Sequence, residues 1–269
     1  KHDSDPMILH FGPLPGAVTG PDMPQLWNLG NDIVDLADPR HRGKAGDNRF
    51  LQRVFSQGEQ DEILSSADPD RALWIRWAGK EAAFKTVSKA LGSPPTFVHS
   101  SFQVSILPLE PGAADDEGGA QFPPMTRFGE VRHKGDRLPL RIEVADAALH
   151  AITWLSPADV RVPPFSWGFR RISGEDPSWR ERLRPGFSPA EWRCVTHRPS
   201  ALARLAVRDF MASALGVQEE RLQVGCGPGD PGRRIPRVFL DGSEISVDLS
   251  LSHHGELVAW AFVPQSQGR

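Results

Sequence analysis

Twice in this chain a helical pattern stops at Ala-Leu-Gly, at residues 90–92 and 214–216. Twice the chain then closes with a hairpin whose last strand alternates, "LHAITWL" at 149–155 and "ELVAWAF" at 256–262. Self-similarity of this kind constrains the fold strongly, because each copy must be one unit with its own helix and strands. A length of 269 residues allows one large domain or two small ones, and the repeat favours two. The expected class is α+β: two similar tandem modules, each a long helix packed on a small antiparallel sheet, forming a pseudodimer.

Punctuation sets the boundaries. Residues 1–26 are Pro-rich and read as an N-terminal extension. The first module is expected over 27–157, with a strand near 28–34, short helices at 47–56 and 57–67, and a long helix from about 70 to 91. That helix begins after "ADPD" and stops at Gly92, as start and stop chemistry requires. Strands are expected near 101–107, 138–145 and 149–155, with the acidic, Gly-rich run 110–124 as a loop. Residues 158–199, rich in Pro, Arg and Trp without period, read as a linker. The second module, 200–264, has a helix at 200–215 and strands near 221–225, 237–240, 246–251 and 257–263.

A net charge of −3 leaves no broad basic field for duplex nucleic acid. No apolar run approaches the ~18 residues that span a bilayer, and no uninterrupted apolar core marks a secretory leader. The two cysteines, Cys194 and Cys226, form no metal-ligand spacing. They are expected as free thiols in a reducing cytoplasm.

Charges in apolar places mark the chemistry. Asp32 lies in "GNDIVDL" among Leu29, Ile33 and Val34, where a carboxylate is costly unless paired or bound to a cation. On the long helix Lys80 falls inside the apolar stripe, with Glu81 and Lys85 on its edge at i,i+4 spacing. The bland alternative is a snorkelling lysine and a surface ion pair. Two carboxylates from different elements suit Mg²⁺, which keeps waters and substrate phosphates in its shell. In "DLSLSHHGELVAWAF" (248–262) a strand runs out at Ser252, His253 and His254. This is either a polar hairpin turn or an hydroxyl and ring N–H offered to an anion.

"GNDIVDL", "NRFLQRVFSQGEQ" (48–60), "RWAGKEAAFKTVSKALG" (76–92), "RIPRVFLDG" (234–242) and "SLSHHGELVAWA" (250–261) together resemble the 4′-phosphopantetheinyl transferases. That resemblance implies transfer of the phosphopantetheine arm of coenzyme A to a serine of an apo acyl or peptidyl carrier protein. Adenosine 3′,5′-bisphosphate is released. The carrier would serve fatty-acid, polyketide or nonribosomal-peptide synthesis. It implies Mg²⁺ or Mn²⁺ held by Asp32 and Glu81, with Lys85 at a phosphate oxygen or assisting proton movement, and Glu81, directly or through a metal-bound water, activating the serine. Ser252, His253 and Arg204 would bind coenzyme phosphates, as would Arg76 and Lys80. Arg49 and Arg53 match arginines that face acidic carriers.

The family holds single-module enzymes that trimerise and two-module, surfactin-type enzymes with one site. This chain resembles the second kind with its module order reversed. Val34 stands where such enzymes often carry a third carboxylate, and Arg234-Ile235-Pro236 replaces the usual Gly-Lys-Pro.

Counting back from the two Ala-Leu-Gly ends pairs Glu81 with Leu205 and Lys80 with Arg204. The first hairpin in turn lacks Ser-His. Each half keeps what the other has lost, so one composite site on a cytoplasmic monomer is expected. The rival expectation is a protein of this fold that binds coenzyme A or a carrier without turnover.

Overall fold

A computed structural model describes residues 27–108, 125–145, 147–155, 165–172, 174–227 and 235–264. The chain divides into two compact units, Gly30–Leu155 and the remainder.

The Gly30–Leu155 unit contains β1 (Asn28–Asp35), α1 (Asn48–Val54), α2 (Gln57–Leu64) and α3 (Pro69–Ala90). Four strands follow: β2 (Gln103–Ile106), β3 (Met125–His133), β4 (Asp136–Ala145) and β5 (Ala148–Leu155). They form one sheet in the order β1-β5-β4-β3-β2. α3 starts where expected, Asp68 accepting from the Arg71 amide with Pro69 in the first turn. Its buried face is made of small and aliphatic residues, Leu73, Ala78, Ala82, Ala83 and Val87, packed with Val104, Val131, Leu140 and Ile142.

One buried carboxylate ties these elements together. Glu59 closes a capping box with Ser56 at the start of α2. Its Oε1 accepts from the Val104 amide at 2.9 Å, and its Oε2 accepts from Lys80 Nζ at 2.8 Å. Lys80 is 0% exposed and also donates to the Phe102 carbonyl. Burial pushes the Lys80 ammonium pKa down, and Glu59 opposes that shift.

The other unit also begins with one strand and three helices, but five strands follow: β6 (Ser166–Arg171), α4 (Trp179–Leu183), α5 (Pro189–Trp192) and α6 (Arg198–Leu215), then β7 (Leu222–Cys226), β8 (Pro236–Leu240), β9 (Ser243–Glu244), β10 (Val247–His254) and β11 (Leu257–Pro264). Its strands pair as β10-β11-β6 and β7-β8-β9. The carboxylate device recurs. Phe187-Ser188 and Glu191 repeat Phe55-Ser56 and Glu59, with a capping box at the start of α5. Glu191 Oε1 accepts from the Val224 amide at 2.8 Å. Arg204 stands at the position of Lys80; burial pushes its pKa down to about 10 and the Glu191 charge opposes that shift, while Glu191 Oε1 lies 3.8 Å from Arg208 Nη1. The strand ends match as well: the Leu36 amide donates to Ala147 O and the Ile172 amide to Glu256 O, both at 2.7 Å.

Three expectations change. Residues 166–171, read as linker, are a strand hydrogen-bonded along β11, and α4 and α5 follow within the same span. β3 was not expected, because Met125, Phe128 and Val131 break the alternation that marks a strand. Cys194 and Cys226 are not free thiols but a disulfide (S–S 2.03 Å). The Pro-rich extension 1–26 and the loop 110–124 fall outside the described residues. No helix among the described residues is long and apolar enough to cross a membrane.

Breaking a buried pair by removing one partner costs roughly 3–5 kcal/mol, because the remaining charge is stranded. Lys80→Met is therefore expected to destabilise the protein by about that amount in urea unfolding. A loss below about 1 kcal/mol would mean that Glu59 is satisfied without its lysine.

Candidate functional site

The site is built where α3 crosses β1. Gly30 and Asp32 are two apart on a strand and so face the same way. A Cβ on Gly30 would collide with the Ala82 carbonyl and lie 2.7 Å from the Thr86 amide. The missing side chain lets the helix backbone settle directly on the strand. Thr86 Oγ1 meets Thr153 Oγ1 at 2.7 Å and fixes the helix against β5.

That close approach sets Asp32 beside α3. Lys85 Nζ donates to Asp32 Oδ1 at 3.0 Å and to the Asn31 carbonyl at 2.7 Å. Asn31 is held from behind by His150, whose Nε2 lies 2.9 Å from Asn31 Nδ2. Burial lowers the His150 pKa to about 3, so the ring is neutral and accepts from the amide. The Asp32 side chain is 14% exposed. Its pKa is raised to about 6, chiefly by burial; Lys85 opposes the shift and the nearby Glu81 carboxylate adds to it. Two half-buried acids that repel each other across a helix–strand contact, with one lysine between them and the backbone, form an oxygen donor set suited to a hard divalent cation. The structure thus brings together Asp32, Glu81 and Lys85.

Three other expected site residues are spent elsewhere. Lys80 is wholly buried against Glu59 and cannot reach a ligand. Arg76 is buried, with Nη1 on the Ala72 carbonyl at 3.0 Å and Nη2 on Glu62 at 2.5 Å. Arg204 is 8% exposed, its Nη1 donating to Ser200 O at 2.9 Å and Ser200 Oγ at 2.6 Å. All three are buried cations with internal partners in this structure, unlike the ligand-facing side chains expected at coenzyme phosphates. Val34 is fully packed in the core. Arg49 and Arg53 are both exposed on α1, Arg53 lying over the Phe50 ring at 5.8 Å. In the other unit Ser252 is buried near the end of β10 and His253 is exposed, its ring centroid 4.4 Å from that of His197 in an edge-to-face arrangement. Gly30, His150 and Glu59 were not singled out from sequence, and neither was His99, whose Nε2 lies 3.4 Å from Glu81 Oε1.

The second unit has no equivalent acids. Matching the Leu36 and Ile172 strand-end bonds places Gly168 at the position of Asp32. Matching Lys80 to Arg204 places Leu205 at that of Glu81. Gly168 pairs across the strands with Trp260, and a Cβ there would lie 2.7 Å from the indole Cζ2. By the same register Ala151 faces Asp32. An acid opposite a small residue in one unit thus becomes a glycine under a tryptophan in the other.

Residues 28–122 match the family model of the 4′-phosphopantetheinyl transferase superfamily. The holo-[acyl-carrier-protein] synthase of Chlamydia muridarum (strain MoPn / Nigg) is 38% identical over 68 residues, 25% of this chain and 51% of that protein. The synthase of Syntrophotalea carbinolica is 36% identical over 69 residues, 26% of this chain and 54% of that protein. The chain thus spans about half the length of these curated relatives. The crystal structure of Thermotoga maritima holo-[acyl-carrier-protein] synthase aligns at 16% identity and a TM-score of 0.32, covering 60% of this chain and 74% of that one. The superfamily resemblance read from the sequence therefore holds for the segment that carries Asp32, Glu81 and Lys85.

The Asp32 shift fixes a sign. Its folded pKa of about 6 exceeds the usual 3.8, so the metal-free fold favours the protonated acid. That contribution is full below pH 3.8, fades as pH rises, and is lost above about 6. Asp32→Asn is expected to stabilise the metal-free protein at pH 8 by up to roughly 3 kcal/mol and to change little at pH 4. Urea unfolding at both pH values checks this. Equal effects at the two would mean that Asp32 is not raised.

Proposed function

We propose that the chain transfers the 4′-phosphopantetheine arm of coenzyme A to a serine of an apo carrier protein, releasing adenosine 3′,5′-bisphosphate. One observation carries the reading: the segment that matches the superfamily places a raised, half-buried Asp32 beside Glu81 and Lys85. Asp32 and Glu81 would hold Mg²⁺ or Mn²⁺, and the donor set fits, being carboxylate oxygens that repel when left without a cation. When bound, the cation supplies charge neutralisation at the pyrophosphate.

The chain's own residues supply positioning, which dominates phosphoryl transfer. The serine oxygen bonds to the pantetheine-side phosphorus as the bond to the bridging oxygen breaks. Lys85, already fixed by Asn31 and Asp32, brings a positive charge to the departing phosphate. Glu81 accepts the serine proton, directly or through a water. Exposed Arg49 and Arg53 steer an acidic carrier. Ser252 and His253 are proposed to bind the coenzyme's phosphates.

The two units are proposed to be tandem copies of one module, of which only the first keeps metal acids. One cation and one coenzyme per chain, on a monomer, follow from that. A cytoplasmic setting is part of the proposal, and the Cys194–Cys226 bond is the feature that opposes it.

Intact mass of an apo carrier incubated with coenzyme A and Mg²⁺ tests the reading. A gain of one phosphopantetheine is expected, and carrier or coenzyme binding with no gain would favour the non-catalytic alternative. Glu81→Gln is expected to abolish the gain while leaving metal-free melting nearly unchanged; near-normal turnover at saturating Mg²⁺ would remove Glu81 from the mechanism. His253→Ala is expected to raise KM for coenzyme A more than KM for the carrier.

A further inference from the structure

His99 is a ring with a reason to stay and a nitrogen without a hydrogen bond. It lies between two aromatic side chains, its ring centroid 4.7 Å from Trp77 at 25° and 4.0 Å from Phe97 at 34°. The two stacking partners fix where its Nε2 points. That atom is buried and has no hydrogen-bond partner among the described residues. It stands 3.4 Å from Glu81 Oε1, slightly beyond a hydrogen bond. A buried imidazole nitrogen left unpaired is costly, and the acceptor it faces is one of the two acids of the candidate metal site.

Among the described residues, no third ligand atom joins Asp32 and Glu81 within 4.8 Å. His99 therefore does not form a close three-ligand group with Asp32 and Glu81, and the carboxylate it meets is that of Glu81.

We infer that His99 is a positioning residue for Glu81: its Nε2–H donates to Oε1 and leaves the other carboxylate oxygen to the cation. This rests on the metal-site reading proposed above. A ligating carboxylate is ordinarily oriented by such an outer hydrogen bond, and loss of one costs about 10–100-fold in metal affinity. The stacked ring makes the donor rigid, because Trp77 lies on the same helix as Glu81, four residues earlier. Helix, donor and acceptor therefore move as one piece.

The test is Mn²⁺ titration calorimetry on the whole purified chain. His99→Phe keeps an aromatic ring in the stack and removes the donor. It is expected to weaken Mn²⁺ about 10-fold or more and to raise the metal needed for half-maximal transfer to the same degree. His99→Gln restores an N–H donor and is expected to recover most of that loss. Metal-free melting should stay within a few degrees in both. Wild-type Mn²⁺ affinity in His99→Phe would overturn the inference, as would equal losses in both variants accompanied by a lowered melting temperature.

The same data separate the inference from the functional proposal. Carrier modification by a wild-type chain that binds no Mn²⁺ would overturn the positioning role and leave the transfer standing. Mn²⁺ binding that depends on His99, with no carrier modified, would sustain the positioning role and remove the transfer.

Discussion

The carboxylate of Glu59 lies inside the unit and joins three separate elements. It caps α2, receives the first buried amide of β2, and holds the ammonium of Lys80 in the middle of α3. A buried carboxylate cannot stay charged without such partners. Lys80 is therefore pinned, and with it the rotation of α3 about its axis. Each helical residue turns by about 100°, so Glu81 comes out on the flank of the pinned line. Lys85, one turn further, shares that flank. Asp32 meets them there because Gly30 lets the helix backbone reach the strand. The candidate site thus depends on an ion pair that takes no part in its chemistry.

This dependence explains what the sequence made legible. Asp32, Glu81 and Lys85 stood out because each broke a local apolar pattern, and local patterns are visible in a chain. Lys80, Arg76 and Arg204 broke patterns just as clearly, yet their partners lie elsewhere. Glu59 is 21 residues from Lys80, and Glu62 is 14 from Arg76. A helix pattern shows that a cation sits in the core but does not say which acid meets it. The signal that could have resolved this was the recurrence of Phe-Ser-x-x-Glu at 55–59 and 187–191. The strand Ser166–Arg171 was hidden for a similar reason: its pairing partner, β11, lies far along the chain. His99 carried no pattern at all, since stacking depends on where three aromatic side chains arrive in space.

The two units share several local devices and differ at the positions of the candidate site. Capping box, buried carboxylate, buried cation and strand-end hydrogen bonds recur. Asp32 becomes Gly168, Glu81 becomes Leu205 and Lys85 becomes Asp209. Asp209 in turn lies 3.6 Å from Arg170, reversing the sign of the lysine it replaces. Such a change cannot be made by one substitution, because a lone acid without its partners would be buried and uncompensated. Glycine at 168 leaves room that Trp260 fills with a ring, and packing takes over where electrostatics had been.

That contrast bears on which unit is proposed to carry the function. Filling a gap with an aromatic ring stabilises a fold, whereas holding an aspartate at a pKa of about 6 costs it stability at neutral pH. Asp32, Lys85 and Asn31, braced by a neutral His150 behind them, form an arrangement that a bound cation would stabilise. A buried acid held against its cost in one unit, with glycine and tryptophan at the matched positions of the other, is the physical contrast on which the proposed placement of the site in the Gly30–Leu155 unit rests.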